Sequence, residues 1–341
     1  MLRMMDARDR VPVLADVAAA AGVSLSTVSR VITGRAPVSE KTRTRVMEAV
    51  ARLGYRPNAA AQALVLGRSA TVAVIANNTL RWGYAATLHG IEEEARAAGF
   101  SVMIAVVESD DPDEVRRGID GVWSQPIAGA IVIDFDAVGA VTLAALPHNV
   151  PVVAASGAWQ PEADRPHAYL DDFEGGRQAT EYLLSLGHET VHHVAIPSTG
   201  ERSGREWGWR RALADAGRAV PDVIRAGYHP ESGYAAAEQL EPEATAVLCG
   251  NDELAIGVAR RLQERGVSIP DDVSIMGFDD QPFAAMWVPS LSTVGQDFVG
   301  LGKRTFAMLH SWMLSNERPA HSTVVPELVL RQSTATPRPR G

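Results

Sequence analysis

The sequence predicts two parts of different fold class, a small all-α domain at the N-terminus and a large α/β core built from two doubly wound lobes. A helical pattern that stops and restarts at glycines occupies the first 57 residues, whereas buried strands alternate with helices in the remainder. At about 150 residues per domain, a chain of 341 residues exceeds one ordinary core. The charge divides in the same way, because residues 1–68 carry a net charge of +6 and the other 273 residues carry −15.

Charge and composition limit the classes of function. A basic segment on an acidic body attracts DNA phosphates at one end and repels them elsewhere, which helps to orient an encounter. No apolar run reaches the roughly 18 residues that cross a bilayer, and the start of the chain lacks the apolar core of a secretory signal, so we expect a cytoplasmic protein without a membrane partner. The single cysteine, Cys249, predicts no internal disulfide and no metal site, and we interpret it as a small core residue on a strand.

The stretch LADVAAAAGVSLSTVSRVITG predicts a helix, a tight turn and a second helix. Leu14 and Ala18 fall on one helical face before Gly22 interrupts the pattern. Ser24 then caps a new helix, in which Val28 begins a second apolar face. A small residue, a glycine at positive φ and an apolar anchor at these positions are what a helix-turn-helix motif requires.

A third helix, which opens at Ser39 and ends at Gly54, completes a small core, so this domain can fold by itself. On the second helix, the early and outward side chains are placed to enter a major groove of DNA. Arg30 suits a guanine edge or a phosphate, and Leu25 suits a thymine methyl group. The groove-facing set is Leu25, Ser26, Thr27, Ser29 and Arg30.

We place the helix-turn-helix domain at residues 1–57 and the core at residues 69–341, with a hinge helix and linker at residues 58–68. Pro57 can begin a short helix in the hinge. About nine residues of alanine-rich helix are too short to persist in water, so this helix needs DNA or a second copy of itself as a partner. An ordinary interdomain linker is the alternative.

The core alternates strands and helices in two successive series. TVAVIAN, SVMIAVVE, AGAIVID and VPVVAAS predict the parallel strands of one sheet, and VHHVAI, AVLCG and VSIMGFD predict those of a second. Two similar sheets imply two lobes with a cleft between them. Ligands of such sheets bind beyond the carboxyl ends of the strands, so the residues that follow each strand are the candidates for a binding site.

Polar residues with aromatic residues nearby follow these strands. Amides and carboxylates bond sugar hydroxyls while an aromatic ring covers the apolar face of a sugar; purines are bound in a similar way, so both ligand classes stay open. Each Asn or Asp taken singly is more often a turn former, and the prediction depends on their convergence. The set at the strand ends is Asn77, Asn78, Trp159, Asn251, Asp252, Asp279 and Asp280.

The N-terminal stretch, continued by VSEKTRTRVMEAVARLGYRPNAAAQAL, resembles the lactose-repressor (LacI/GalR) family. The resemblance extends through GIEEEARAAGF, REWGWRRALADAG, AVLCGNDELAIGV, PDDVSIMGFDD and LSTVGQDF. It implies a periplasmic-binding-protein-like core of two lobes, and a hinge helix from which Leu64 wedges into the minor groove beside Ala61. The implied base-reading positions are Leu25, Ser26 and Arg30, and the implied positions near phosphates are Thr27, Ser39, Thr42, Tyr55 and Asn58.

In the core, the resemblance implies that four polar side chains face the effector: Arg205, Asn251, Asp279 and Gln296. Tyr84 lies at a position whose aromatic residue stacks on ligand, and Tyr228 lies where a family member carries a sugar-contacting tryptophan. Trp159 joins this set from its place at a strand end. Asp171 and Asp172 match a pair that opens a helix, for which N-capping is the expected role. The stretch RWGYAATLHGIE departs from an Asn-Pro-Phe-Phe pattern common in the family and alters one wall of the predicted pocket.

The expected function is that of a sequence-specific transcription regulator, a homodimer that represses carbohydrate-utilisation genes and leaves a palindromic operator on double-stranded DNA when a small sugar binds the cleft. No leucine heptads close the chain, so a dimer is expected rather than a tetramer, and no cofactor is implied. A corepressor-dependent regulator and a sugar- or purine-binding receptor without DNA activity are the alternatives. An enzyme is not expected, because the nucleophile elbow, the P-loop, the dinucleotide fingerprint and zinc-spaced histidines are missing from the sequence.

Overall fold

The computed structural model describes residues 12–33, 37–56, 69–159, 164–197 and 204–338, and the chain divides into two compact units. The first unit comprises residues 1–70 and the second comprises residues 71–341. In the described part of the chain, no single helix is long and apolar enough to cross a membrane. A pair of helices bent by 104°, Leu14–Ala21 and Leu25–Ile32, meets the length and composition criteria only when the two are taken together.

The described residues of the first unit form three helices, α1 (Leu14–Ala21), α2 (Leu25–Thr33) and α3 (Glu40–Leu53). Gly22 ends α1 at a φ of 62°, a left-handed conformation that disfavours any residue with a Cβ. Ser39 caps α3 by accepting a hydrogen bond from the amide of Thr42. The predicted helix-turn-helix and third helix are confirmed, and they share one small core: Val17, Ala18, Ala21, Val28, Val31, Val46 and Ala49.

Two arginines of α3 bind the C-terminal end of α1. Arg45 donates from Nε to the carbonyl of Ala21 at 3.2 Å and from Nη2 to the carbonyl of Gly22 at 3.1 Å. Arg52 donates to the carbonyl of Ala20 at 3.3 Å. Because the last carbonyls of a helix have no partner within that helix, these cations stabilise the turn that separates α1 from α2.

The second unit consists of two lobes, each with a six-stranded sheet between helices. The elements of the first lobe are β1 (Thr71–Ala76), α4 (Trp82–Ala97), β2 (Ser101–Val106), α5 (Pro112–Trp123), β3 (Gly129–Asp134), α6 (Ala137–Ala145), β4 (Val152–Ser156), β5 (His167–Leu170), α11 (Phe298–Ser315) and β11 (Ser322–Val324). Its strands are parallel, in the order β11-β5-β4-β3-β1-β2. Apolar strand residues pack against helices on both faces of the sheet, as is typical of parallel sheets.

The elements of the second lobe are α7 (Asp172–Ser185), β6 (His192–Ala195), α8 (Arg205–Asp215), β7 (Ile224–Arg225), α9 (Pro230–Ala236), β8 (Ala246–Cys249), α10 (Asp252–Glu264), β9 (Ser274–Asp279), β10 (Ser292–Gly295) and β12 (Glu327–Val329). The strand order is β12-β10-β9-β8-β6-β7, with β12 antiparallel to β10. Cys249 is fully buried on β8, where the sequence predicted a small core residue. The two predicted doubly wound lobes are confirmed.

The chain passes between the two lobes three times. Asp171 connects β5 to α7, Gln296 and the residue after it connect β10 to α11, and residues 325–326 connect β11 to β12. The amide of Asp171 donates to the carbonyl of Val324 at 3.4 Å, which joins the first and third connections. Nε2 of Gln296 donates to Oδ1 of Asp172, which joins the first and second connections. The three connections therefore form one hydrogen-bonded group between the lobes.

Helix α11, which follows the second connection, packs closely on α4. A Cβ built on Gly90 of α4 would lie 2.0 Å from the carbonyl oxygen of Val299, and one built on Gly302 would lie 2.2 Å from the carbonyl oxygen of Thr87. Only glycine allows this approach of two backbones. The contact fixes the start of α11 to the first lobe.

Candidate functional site

A cavity of about 100 Å³ lies between the lobes, at the carboxyl ends of the strands of both sheets. This volume is several times the roughly 10–15 Å³ that a single water requires, so the cavity can hold more than one water. Polar side chains and aromatic rings from both lobes form its walls, so it has the character of a small-molecule site. The lining residues are Arg81, Trp82, Gly83, Tyr84, Phe135, Gly157, Asp172, Ile196, Arg205, Tyr228, Asn251, Glu253, Asp279, Gln281 and Phe298.

Arg205, the first residue of α8, is the central side chain of this cavity. Its Nε donates to Oδ2 of Asp172 at 2.8 Å, and its Nη1 donates to the carbonyl of Gly250 and lies 3.2 Å from Oδ1 of Asp279. The guanidinium carbon lies 4.0 Å from the centroid of the Phe278 ring. The side chains of Arg205, Asp172 and Asp279 are each only 11–12% exposed, so two largely buried carboxyls share one guanidinium.

Burial raises the pKa of both carboxyls that share Arg205. The pKa of Asp279 rises to about 8, because burial outweighs the attraction of Arg205 and the charges of Asp252 and Asp172 add to the effect of burial. Burial also raises the pKa of Asp172, against the attraction and hydrogen bond of Arg205. Asp279 has a φ of 105°, in a region that residues with a Cβ rarely adopt. At neutral pH the site therefore retains a proton and offers an O–H donor beside carboxylate acceptors.

Three buried polar atoms at or directly behind the cavity have no hydrogen-bond partner among the residues that the structure describes. They are Oδ1 of Asp279, which has only its ion pair with Nη1 of Arg205 at 3.2 Å, Oε1 of Gln296 and Nε of Arg81. An unpaired buried polar atom costs about 1–3 kcal/mol, and folded proteins leave few of them. A ligand in the cavity could complete the hydrogen bonding of these atoms.

Asn251 and Tyr228 form a second wall of the cavity. Oδ1 of Asn251 caps α10 by accepting from the amide of Leu254 at 2.8 Å, and its Nδ2 donates to the carbonyl of Tyr228 at 2.9 Å. The Asn251 amide thus fixes the backbone that carries the Tyr228 ring. Beside them, Nε2 of Gln281 donates to Oε1 of Glu253 at 3.5 Å.

The wall from the first lobe is organised by Asp136, which caps α6. One of its oxygens accepts from two backbone amides of α6, and the other accepts from the hydroxyl of Tyr84 and from Nδ2 of Asn77, both at 2.7 Å. Burial and the charge of Asp136 raise the pKa of Tyr84 above its usual range. Arg81 places Nη1 3.9 Å from the same carboxylate, and its guanidinium carbon lies 3.9 Å from the centroid of the Tyr228 ring in the other lobe.

The structure brings most of the predicted effector residues together. Five of them line the cavity: Tyr84, Arg205, Tyr228, Asn251 and Asp279. Gln296 lies directly behind the wall, on Asp172. Trp159 requires a correction, because its ring packs 5.1 Å from that of His167 and 5.4 Å from that of Tyr169, measured between centroids. The residue follows β4, as predicted, but its ring packs on residues of β5 rather than lining the cavity.

Sequence reasoning missed several residues of the site. Capping was expected of the pair at the start of α7, but only Asp171 caps, by accepting from the amide of Glu174 at 3.0 Å, whereas Asp172 binds Arg205. Asp136 closely follows β3, so its place at a strand end was an available signal. The sequence indicated Arg81 only through its departure from the family pattern. It indicated Glu253 and Gln281 only through their nearness to predicted residues.

The predicted DNA-contacting side chains of the first unit lie on α2 and around the start and end of α3. Leu25 is 52% exposed on α2. The hydroxyls of Ser39 and Thr42 lie 2.9 Å apart at the start of α3, and Tyr55 packs on the small core. Ser26 and Arg30 are exposed, while Thr27 and Ser29 are half-buried. Asn58, Ala61 and Leu64, with the rest of the predicted hinge at 58–68, lie outside the described residues.

Comparison with known proteins gives matches over both units. Residues 13–58 match the domain described as "Bacterial regulatory proteins, lacI family", and residues 180–334 match a "Periplasmic binding protein-like domain". The chain is 30% identical to catabolite control protein A of Priestia megaterium, over 94% of this chain and 98% of that protein. It is 32% identical to the HTH-type transcriptional repressor PurR of Pectobacterium carotovorum, over 94% of this chain and 96% of that protein.

Two similar solved structures are regulators with small molecules bound. The lac repressor dimer bound to operator and the anti-inducer ONPF has a TM-score of 0.86 and 28% identity, over 96% of this chain and all of that one. The complex of the transcriptional regulator CelR with cellobiose has a TM-score of 0.70 and 29% identity, over 94% of this chain and 99% of that one. The similarity covers both the helical unit and the two lobes.

Proposed function

The chain belongs to the lacI family of bacterial regulatory proteins. On that premise we propose that a neutral sugar, bound in the cavity between the lobes, controls the affinity of the protein for operator DNA. The protein is a DNA-binding transcription regulator with an effector-binding core. In this proposal it acts in the cytoplasm as a homodimeric repressor and catalyses no reaction. Residues 1–57 bind DNA, residues 58–68 form the hinge, and residues 69–341 bind the effector and dimerise.

The observation that carries the proposal is the guanidinium of Arg205 between the buried carboxyls of Asp172 and Asp279. A fork of donors beside acceptors matches the neighbouring hydroxyls of a sugar, because each hydroxyl donates one hydrogen bond and accepts others. The rings of Tyr228 and Phe298 line the same cavity and can cover the apolar face of a sugar ring.

The charge and size of the cavity favour a neutral monosaccharide. Arg81 and Arg205 are balanced by Glu253 and by the one negative charge that Asp172 and Asp279 keep when they retain a proton, so no positive charge is left over for a phosphate or carboxylate. The small volume of the cavity, about 100 Å³, favours a single sugar ring over a larger ligand. The cellobiose complex of CelR supports the sugar class, although a disaccharide would require the lobes of this protein to separate further.

The position of the site suggests how a ligand alters the lobes. Asp172, the first residue of α7, directly follows one of the three connections between the lobes, Gln296 belongs to another, and Arg205 holds Asp172. A sugar that takes up hydrogen bonds of Arg205 therefore acts directly on these connections. In a dimer, recognition helices enter successive major grooves, and a shift of the lobes changes the separation of the hinge helices. Coupling of about 1–3 kcal/mol would change operator affinity roughly 5- to 150-fold.

A thermal-unfolding scan against a panel of ligands tests the proposal. The panel contains neutral mono- and disaccharides, sugar phosphates and purines, and the change in tryptophan fluorescence follows unfolding of the core. A neutral sugar at about 100 times its dissociation constant should add roughly 2.7 kcal/mol to the free energy of unfolding and raise the melting temperature by several degrees. Stabilisation by purines or sugar phosphates alone would overturn the sugar assignment.

Two variants of α8 locate the binding site. Arg205→Ala should abolish the response to the sugar, because it removes the donor fork. Arg211→Ala is the matched control, since Arg211 lies on the same helix and contacts only Asp215 at the surface among the described residues, at 2.8 Å. Equal responses of both variants would place the sugar elsewhere. Anisotropy of a labelled palindromic operator, with and without the sugar, then separates release from corepression, because a corepressor would tighten binding.

A further inference from the structure

Arg81 occupies a position that its local structure does not favour. It is the N-cap residue of α4 and provides no side-chain cap. A guanidinium has no acceptor for the free amides of the first turn, and a cation is unfavourable at the positive end of a helix dipole. Instead, Oδ1 of Asn78 accepts from the amides of Leu80 and Arg81 at 2.8 and 2.9 Å. A residue that breaks a local rule in this way is expected to serve a purpose elsewhere.

The contacts of the Arg81 guanidinium leave one donor, the Nε–H, without a partner among the described residues. Its nearest carboxylate is that of Asp136, at 3.9 Å, which is too long for a hydrogen bond. That carboxylate already accepts from Tyr84, Asn77 and two backbone amides. Nε of Arg81 is buried and meets no acceptor among the described residues. The side chain therefore lines the cavity with a free donor.

The close contact of the guanidinium is with the opposite lobe. Its carbon lies 3.9 Å from the centroid of the Tyr228 ring, well within the range of a cation–π interaction. The backbone of Tyr228 is held by Asn251, which caps α10, so the ring is anchored in the second lobe. Arg81 is anchored in the first lobe by α4, and the pair thus spans the cavity.

We infer that Arg81 and Tyr228 form a clasp that holds the two lobes closed across the cavity, and that the Nε–H of Arg81 is the donor from the first lobe to a ligand oxygen. The identity of that ligand rests on the proposed function, whereas the clasp requires no ligand. Arg81 is a positioning residue in the closed state and a specificity-determining residue once the sugar is bound.

The expected size of the effect follows from the interaction. A cation–π contact of this kind, partly shielded from water, corresponds to about a 2- to 30-fold change in the ratio of closed to open molecules. Arg81→Met keeps most of the length of the side chain but removes the cation. Tyr228→Leu removes the ring, and Tyr228→Phe keeps it, so phenylalanine is the conservative variant that should retain the clasp.

Double electron–electron resonance between spin labels on Ala144→Cys of α6 and Ala214→Cys of α8 measures lobe separation in the full-length protein, diluted with unlabelled chains. Both positions are exposed, and the native Cys249 is fully buried and will not take a label. Without ligand, Arg81→Met and Tyr228→Leu should each increase the ratio of long to short distances 2- to 30-fold. The double variant should go no further than either single one, and Tyr228→Phe should match the wild type.

Each outcome decides one part of the inference. Unchanged distances in Arg81→Met and Tyr228→Leu, or effects of the two that add in full, would overturn the clasp. D-Glucose and D-galactose are then added to the wild type and to Arg81→Met. If a sugar closes the wild type but binds Arg81→Met equally tightly, the donor role of Nε is wrong. If the clasp variants open while neither hexose acts, the clasp stands, D-glucose and D-galactose are excluded as effectors, and the wider ligand panel decides the sugar class.

Discussion

Replacing Asp279 with asparagine should remove much of the pH dependence of core stability between pH 5 and pH 7. The pKa of Asp279 is about 8 in the folded protein against an ordinary value of 3.8, so the folded protein holds a proton in this interval that the unfolded chain has lost. This difference lowers the free energy of unfolding by about 1.4 kcal/mol per pH unit, or roughly 2.7 kcal/mol from pH 5 to pH 7. The stabilisation is complete below the unfolded pKa and is lost as the pH rises towards 8.

The asparagine variant removes the titration of residue 279, because an amide does not titrate. It also leaves Asp172 as the only carboxylate that pairs with Arg205 in this site. Undivided pairing with Arg205 should lower the raised pKa of Asp172, which acts in the same direction as that of Asp279. Buried histidines with lowered pKa values, His167 and His193 among them, give the opposite trend, since they are protonated only in the unfolded chain. They contribute equally to both proteins and cancel in the difference.

Chemical denaturation at pH 5, 6 and 7, followed by tryptophan fluorescence, measures the difference. All seven tryptophans follow residue 81, so their fluorescence reports the second unit and not the helical one. Asp215→Asn is the control, because Asp215 is 53% exposed and its carboxylate pairs with Arg211 at the surface. If the slope of the free energy of unfolding against pH is the same in Asp279→Asn as in the wild type, the shared-proton account of the site is refuted.

Three further substitutions test the packing and the DNA-binding unit. Gly90→Ala should destabilise the second unit by about 1–3 kcal/mol, because the new Cβ would lie 2.0 Å from a backbone oxygen of α11. Gly121→Ala is the control and should not destabilise the unit, because no atom lies within 4 Å of its Cβ. Denaturation followed by tryptophan fluorescence compares the two variants. Arg45→Met should lower the free energy of unfolding of the helical unit by about 1 kcal/mol, because it removes hydrogen bonds to the carbonyls at the end of α1. Arg43→Met should leave that free energy unchanged, and circular dichroism follows the unfolding of both variants. Arg30→Ala should weaken operator binding by about 1–3 kcal/mol in anisotropy titrations at unchanged melting temperature; an unaffected affinity would remove Arg30 from the recognition surface.

The local features of the fold were readable from the sequence because they depend on neighbouring residues. The helix-turn-helix followed from a glycine, a cap and an apolar face within twenty residues, and Gly22 has the positive φ that its position required. Strand ends likewise located Asn251 and Asp279, since the carboxyl ends of parallel strands share one edge of a sheet.

The contacts of the site could not be predicted from the sequence, because they join residues far apart in the chain. Nothing near Asp172 in the sequence indicates that it binds Arg205 rather than a helix terminus, and that choice depends on the packing of α7 against α8. The prediction that Trp159 lines the cavity was wrong for a related reason. Its position after β4 was predicted correctly, but the side of the lobe that its ring covers depends on β5 and on His321, 4.9 Å away between ring centroids.

The three connections between the lobes have a consequence for anyone who wishes to redirect this protein to a new compound. In the proposed function, Asp172 lines the cavity beside one connection and Gln296 lies in another connection behind the cavity wall, so a change at either should alter ligand binding and its transmission together. Glu253 and Gln281 each stand on one lobe, away from the connections. A library of variants at these two positions should change which ligand is bound while the ligand still controls DNA binding. A library at the connections should yield mostly variants whose DNA binding no longer responds to ligand.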